Sequence, residues 1–170
     1  MQIDVQRDVF RLAQVFTISR GSRTEAQVLT VRISADGLQG WGECVPYARY
    51  GETLDSVSAQ IASLPQQFDR QSLVDLLPAG AARNAVDCAL WDLACKKAGL
   101  RAWQLAGLPQ PGPEITAYTL SLASPAEMQA QAAQHAHRPL LKIKLGTPDD
   151  MPRLEAVRAG APNSTIIVDA

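Results

Sequence analysis

The sequence lacks a surplus of charge of either sign and any long apolar run, and each absence excludes a class of protein. Its 16 Lys and Arg residues against 17 Asp and Glu residues give a formal net charge of −1. This balance gives no electrostatic reason to expect nucleic acid or an acidic membrane as a partner. No apolar run approaches the roughly 18 residues of a membrane span, and the first residues carry no secretory pattern. We therefore expect a cytoplasmic protein.

The sequence is also poor in cysteine. Cys44, Cys88 and Cys95 are an odd number, and no two of them form a C-x-x-C pair, which argues against a disulfide framework and a structural zinc site. Cys88 and Cys95 lie seven residues apart in a helical pattern, and we predict that both are small core residues. The G-x-G-x-x-G, P-loop and G-x-S-x-G motifs are absent as well.

The predicted elements change character near residue 112, after a run rich in proline. The first part reads as an α+β unit with strands over 2–10, 15–18, 26–35 and 38–43, a loop over 19–25, and helices over 53–64 and 81–98. The second part reads as strands over 115–122, 140–145 and 165–169, alternating with helices that open at Ser124 and Thr147. This alternation predicts parallel βαβ units with right-handed crossovers.

Two lysines are the sharpest chemical feature of the second part. Lys142 and Lys144 lie two residues apart in a predicted parallel strand, so they share one face of it. Like charge and desolvation both lower the pKa of a lysine, and such a lysine can act as a general base or as a Schiff-base nucleophile. The alternative is a solvated edge strand whose lysines discourage aggregation.

A carboxylate forms the second feature. Asp169 ends the predicted strand over 165–169, where α/β sheets place their active-site residues, and a single carboxylate there suits Mg²⁺. The alternative is an N-cap for a following helix. Lys144 and Asp169 together suggest proton abstraction beside a carboxylate, with a cation stabilising the enolate.

Arg20 and Arg23 lie in a polar loop, where an arginine could bind a substrate carboxylate through two hydrogen bonds. The alternative is that both are solvated loop arginines.

The whole chain resembles the enolase superfamily in its muconate-lactonising subgroup, and within it the L-Ala-D/L-Glu (dipeptide) epimerases. The motifs that carry the resemblance are residues 20–26 (RGSRTEA), 42–52 (GECVPYARYGE), 79–94 (AGAARNAVDCALWDLA), 142–144 (KIK) and 167–170 (IVDA). The resemblance implies an α+β capping domain over 1–112 and the start of a (β/α) barrel over 113–170, incomplete at the C-terminus.

The resemblance also implies roles for the two lysines and the aspartate. Lys144 matches the base that exchanges the α-proton on one face of the substrate. Lys142 matches the neighbour that lowers the pKa of that base and contacts the substrate carboxylate. Asp169 matches the first of three acidic ligands of Mg²⁺, which is the cofactor that the resemblance implies.

Further positions match residues that face the substrate. Thr119 matches a substrate-contacting threonine on the first barrel strand, and Arg23 and Ile18 match positions of a capping loop. The implied substrate is a small dipeptide from murein metabolism, with no nucleic-acid or membrane partner, and a complete enzyme could form a homo-oligomer.

The family pattern requires two more acidic ligands and a second base, which lie beyond Ala170 in that pattern. We therefore expect this chain to be an N-terminal part of a longer enzyme and inactive alone. Three alternatives stay open: a muconate cycloisomerase or o-succinylbenzoate synthase, a non-catalytic fragment that depends on a partner chain, and a Schiff-base lyase.

Overall fold

The computed structural model describes residues 1–19, 21–146, 148 and 150–169. Two compact units divide the chain: one consists of residues 1–10 and 26–111, and the other of residues 11–25 and 112–170. The interpretation of Arg20 as a carboxylate-binding residue lies outside the described residues. The division at residue 112 into a capping domain and a barrel portion stays a prediction.

A three-stranded sheet in the order β1-β2-β3 begins the fold. The strands are β1 (Gln2–Ile18), β2 (Gly21–Ala35) and β3 (Leu38–Cys44). A 3₁₀ turn (Ala48–Tyr50) and four helices follow: α1 (Leu54–Ala62), α2 (Arg70–Leu76), α3 (Ala81–Ala98) and α4 (Ala102–Leu105). Strands β2 and β3 pair antiparallel across the turn at residues 36–37.

The first two strands are longer than their sequence predicts. Strand β1 is one strand of 17 residues where the pattern predicts two short pieces, and β2 begins at Gly21, inside the segment predicted as a loop. Both strands extend from the first unit into the second. Backbone pairing between β1 and β2 sustains this length, and such pairing leaves no mark on the hydrophobic pattern.

Helix α3 packs on the sheet of the first unit. It spans the predicted residues and ends at Gly99, whose φ of 65° is the left-handed conformation of a helix cap. Its buried face consists of small residues together with Val86, Leu90 and Leu93. Strand β3 lies so close to α3 that a Cβ added at Gly40 or Gly42 would overlap the helix backbone. Close helix-to-sheet contact therefore requires glycine at these positions.

The predicted burial of two cysteines is wrong. Cys88 is exposed and Cys95 is only half-buried, whereas Cys44 is buried. The buried Ala85 and Ala89 face β3 instead, next to Gly40 and Gly42. Burial raises the pKa of the Cys44 thiol to about 11, so this cysteine is an inert core residue.

The second unit contains a parallel sheet in the order β4-β5-β6. Its elements are β4 (Tyr118–Leu120), α5 (Pro125–Gln134), β5 (Leu140–Lys144), α6 (Asp150–Gly160) and β6 (Thr165–Asp169). The predicted alternation of strands and helices is confirmed. Strand β4 has three residues rather than the eight predicted, because only these pair with β5. The predicted opening of the second helix at Thr147 lies outside the described residues.

Alternation along β5 divides the second unit into a buried and a polar side. Leu141 and Ile143 are fully buried and pack with Leu120 of β4. Helices α5 and α6 cover them with Met128, Ala132 and Val157.

Among the described residues, no helix combines the length and the apolar character that a membrane span needs.

An aromatic and basic cluster lies at the amino ends of the strands. The His135 ring lies against Tyr118, tilted by 42°, with ring centroids 4.1 Å apart, and the guanidinium carbon of Arg138 lies 4.2 Å from the centre of the Tyr118 ring. Burial lowers the pKa of His135, and the charges of Arg138 and His137 act in the same direction. The fold therefore favours the neutral imidazole.

Replacing Gly42 by alanine tests the packing of α3. We expect Gly42→Ala to lower the free energy of unfolding, measured with urea, by about 2–3 kcal/mol, because the new methyl group has no space against the helix backbone. Gly112→Ala is the control, since an added Cβ there meets nothing within 4 Å. A cost below about 0.5 kcal/mol for Gly42→Ala, the size of an ordinary surface change, would contradict the close approach.

Acid titration tests the cluster around His135. Because the pKa of His135 is lower in the fold than its ordinary 6.5, the unfolded chain binds the proton first. This stabilising contribution is complete above pH 6.5 and disappears as the pH falls through the lowered pKa. Urea unfolding across this pH range should show a smaller loss of stability for His135→Gln than for the unchanged chain. His137→Gln is the control, and equal losses in both variants would contradict this assignment.

Candidate active site

Four polar side chains share one face of the second sheet. The parallel register places Thr119 of β4 beside Lys142 of β5, and Lys144 of β5 beside Asp169 of β6. Residues in register on neighbouring strands point to the same side of a sheet, as do residues i and i+2 of one strand. This polar face is therefore opposite the apolar face that α5 and α6 cover.

Asp169 lies between the two lysines. Its Oδ2 atom is 2.6 Å from the Nζ of Lys142 and 2.6 Å from the Nζ of Lys144. Hydrogen bonds from Lys142 and then Lys144, with the charges of both, lower the pKa of Asp169 to about 2. The carboxylate therefore reduces the repulsion between two ammonium groups that the strand forces onto one face.

The three charged groups are partly shielded from water. The exposed fraction of the side chain is 33% for Lys142, 22% for Lys144 and 39% for Asp169. The polar face is thus open enough for a small molecule to reach it. It is also shielded enough that charges there interact more strongly than they would in bulk water.

Lys144 and Asp169 both end their strands. The backbone N–H of Leu145 donates to the carbonyl oxygen of Asp169 at 3.1 Å, so the pairing of β5 and β6 continues to the last residue of β6. The structure thus brings together, at the carboxyl edge of a parallel sheet, the two residues that the sequence singles out as base and metal ligand. Their chemical roles stay predictions.

The end of β1 lies at the same edge. The N–H of Thr17 donates to the Ser121 hydroxyl at 2.8 Å, and the N–H of Leu122 donates to the carbonyl oxygen of Thr17 at 3.0 Å. A Cβ added at Gly146, two residues after Lys144, would lie 3.5 Å from the Cβ of Ser19. Ile18, between Thr17 and Ser19, is thereby placed beside the carboxyl ends of β4 and β5.

Arg23 belongs to the same segment but is exposed to solvent. Its guanidinium carbon lies 5.7 Å from the centre of the Phe16 ring, and the Thr17 and Ser22 hydroxyls are 2.8 Å apart. These contacts join the end of β1 to the start of β2. The contacts that Ile18 and Arg23 make with a substrate stay predictions.

Ser121 is the residue of this region that the sequence did not reveal. It is buried, with 6% of its surface exposed, and its hydroxyl donates to the carbonyl oxygen of Val15 as well as accepting from Thr17. In the sequence it reads as an ordinary small polar residue after a short strand. Its partners lie more than 100 residues earlier, so no local pattern signals them.

Asp169 has the chemistry of a ligand for a hard cation. Mg²⁺ prefers carboxylate oxygens and is commonly held by one or two of them together with water and substrate oxygens. The described residues contain no group of three or more His, Cys, Asp or Glu side chains that could hold a metal ion. On the polar face, the described residues therefore offer Mg²⁺ one carboxylate ligand, that of Asp169.

Comparison with known proteins identifies the family. The sequence profile of the mandelate racemase / muconate lactonizing enzyme N-terminal domain matches residues 2–107. The chain therefore belongs to this family of the enolase superfamily, and residues 2–107 correspond to its N-terminal capping domain.

Within this family, the chain is similar to dipeptide epimerases. The chain is 42% identical over 174 residues to the L-Ala-D/L-Glu epimerase of Escherichia coli K12, an alignment that covers 99% of this chain and 54% of that enzyme. A crystal structure of an enolase family member from Agrobacterium tumefaciens, with homology to dipeptide epimerases and with bound sodium and L-Ala-L-Glu, is 51% identical with a TM-score of 0.93. That match covers 99% of this chain and 53% of the other.

A third match contains a metal ion and a dipeptide. The dipeptide epimerase of Enterococcus faecalis, in complex with Mg and L-Leu-L-Tyr, is 29% identical with a TM-score of 0.86 and covers 99% of this chain and 52% of its own. The chain thus spans about half the length of the relatives that it matches.

The shared carboxylate can be tested by NMR. We expect the Asp169 carboxyl carbon to titrate near pH 2 rather than near its ordinary 3.8. Lys144→Met should raise the pKa of Asp169, because it removes one hydrogen bond and one positive charge. Lys97→Met, which removes the partner of Asp36, is the control and should leave Asp169 unchanged. Titration of Asp169 near 3.8 in the unchanged protein would contradict the geometry.

Proposed function

We propose that the protein is a Mg²⁺-dependent dipeptide epimerase of the L-Ala-D/L-Glu type that acts through an enolate intermediate. One observation carries the proposal: Lys144 and Asp169 lie side by side at the carboxyl edge of a parallel sheet, 2.6 Å from Nζ to Oδ2. A strand-borne base next to a carboxylate suited to a hard cation is an arrangement for removing a proton beside a carboxylate group. The 42% identity to an L-Ala-D/L-Glu epimerase supports this reading.

Lys144 would act as the base. In its neutral form its Nζ accepts the α-proton of the substrate, and the C–H electron pair moves into the substrate carboxylate to give an enolate. The resulting ammonium group can return a proton to the same carbon. Lys142, two residues away on the same face, would contact the substrate carboxylate.

Asp169 would hold the cation. When bound, Mg²⁺ supplies positive charge that stabilises the negative charge developing on the substrate carboxylate. Thr119 lies beside Lys142 in the register and would position the substrate on the polar face. Ile18 and Arg23 would contact the end of the dipeptide that does not react.

Epimerisation also requires a proton donor on the opposite face of the substrate carbon. The polar face of the described sheet presents its lysines from one strand only, β5. We expect the second base and the further metal ligands in the part of the barrel that the relatives have and that this chain does not cover. Exchange of the α-proton at Lys144 is therefore the step to measure.

Deuterium exchange tests this function. In D₂O with Mg²⁺ and L-Ala-L-Glu, the complete gene product should incorporate deuterium at the glutamate α-carbon, followed by proton NMR. Lys144→Met should lower the rate by at least about 100-fold, which is the lower range of a lost general base. Lys97→Met, on the surface of the first unit, should leave the rate unchanged.

Absence of deuterium with the unchanged protein would overturn the epimerase proposal. Borohydride trapping of a carbonyl compound on Lys142 or Lys144 would point instead to Schiff-base chemistry, because an enolate mechanism forms no covalent adduct.

A further inference from the structure

We propose that Ser121 is a positioning residue that holds the end of β1, and through it Ile18 and Arg23, at the edge of the sheet where the substrate binds. This inference rests on the proposed function, because the two residues matter only if a substrate occupies the polar face. It assigns a role to a buried hydroxyl that takes no part in the chemistry at Lys144.

The Ser121 hydroxyl uses both its donor and its acceptor capacity on one segment of β1. It donates to the carbonyl oxygen of Val15 at 3.2 Å and accepts from the N–H of Thr17 at 2.8 Å. The neighbouring N–H of Leu122 donates to the carbonyl oxygen of Thr17 at 3.0 Å. Three hydrogen bonds therefore fix the backbone of residues 15–17 immediately before Ile18.

Helix α5 holds Ser121 in turn. The side-chain oxygen of Gln131 accepts from the N–H of Ser121 at 3.2 Å. Ser121 follows β4 directly, two residues after Thr119 on the polar face. Ser121 thus connects the sheet and α5 to the end of β1, which lies more than 100 residues earlier in the sequence.

Burial makes these bonds consequential. Only 6% of Ser121 is exposed and Thr17 is half-buried, so removal of the hydroxyl leaves the Thr17 N–H without this acceptor in a place partly shielded from water. An unsatisfied donor of this kind is costly, and the segment relieves the cost by moving toward solvent. Such a movement displaces Ile18 and Arg23 but leaves Lys144 and Asp169 joined to each other.

The chain offers a matched control in Ser164. This serine is also buried, with 3% exposed, and its hydroxyl donates to the carbonyl oxygen of Arg138 at 2.8 Å. It lies just before β6, at the opposite edge of the sheet from Lys144 and Asp169. Removing it deletes a comparable buried hydrogen bond at the edge that does not carry the site.

The decisive experiment compares Ser121→Ala and Ser164→Ala in the complete gene product, with L-Ala-L-Glu as substrate. We expect Ser121→Ala to raise KM about fivefold to tenfold, the effect of losing one or two neutral hydrogen bonds that hold a substrate-contacting segment. Its kcat should stay within about twofold. Ser164→Ala should leave both constants unchanged, and equal changes in KM for the two variants would overturn the proposal.

Hydrogen exchange followed by mass spectrometry separates this inference from the proposed function. Residues 11–18 should exchange faster in Ser121→Ala than in Ser164→Ala, whether or not the protein turns over the dipeptide. Faster exchange without any activity in the unchanged protein would refute the epimerase proposal and the substrate role of Ser121. Unchanged exchange together with unchanged KM would refute the positioning role alone.

If Ser121→Ala does not fold, a second variant takes its place. Gln131→Met removes the acceptor for the Ser121 N–H and should also raise KM.

Discussion

Side-chain alternation along β5 is the constraint on which the candidate site depends. Leu141 and Ile143 face α5 and α6 and complete the core of the second unit. Because successive side chains of a strand point to opposite faces, Lys142 and Lys144 lie on the other face. A shift of one residue would bury both ammonium groups under the helices and expose the two apolar residues. The same pattern that builds the core therefore presents the chemistry.

Two positive charges on one face of a short strand repel each other, and the fold meets this repulsion with the neighbouring strand. Strand β6 ends with Asp169 in register with Lys144, and one carboxylate oxygen binds both ammonium groups. In the proposed enzyme this carboxylate also serves a cation, so the metal and the lysines compete for the same oxygens. The end of β1, held by Ser121, adds contacts at the same edge of the sheet.

Sequence reasoning succeeded where the information is local. Helix α3 was predicted with its correct limits, since Gly99 and the preceding lysines mark its end. The alternation of strands and helices after residue 112 was readable for the same reason. It failed where the information is tertiary: β1 is held by pairing with β2, α3 turns its cysteines away from the sheet, and no local pattern joins Ser121 to Thr17. The contact of Asp169 with both lysines depends on strand register, which a single strand does not encode.

Asp169 is the counter-ion of both lysines, and we propose that it is also a metal ligand in the complete gene product. Anomalous diffraction from crystals of the complete gene product grown with Mn²⁺ tests this most directly, because Mn²⁺ favours the oxygen ligands that also suit Mg²⁺. We expect an anomalous peak bonded to the Asp169 carboxylate, with at least one lysine Nζ displaced from Oδ2. A manganese ion bound only elsewhere, with Asp169 still holding both lysines, would contradict it.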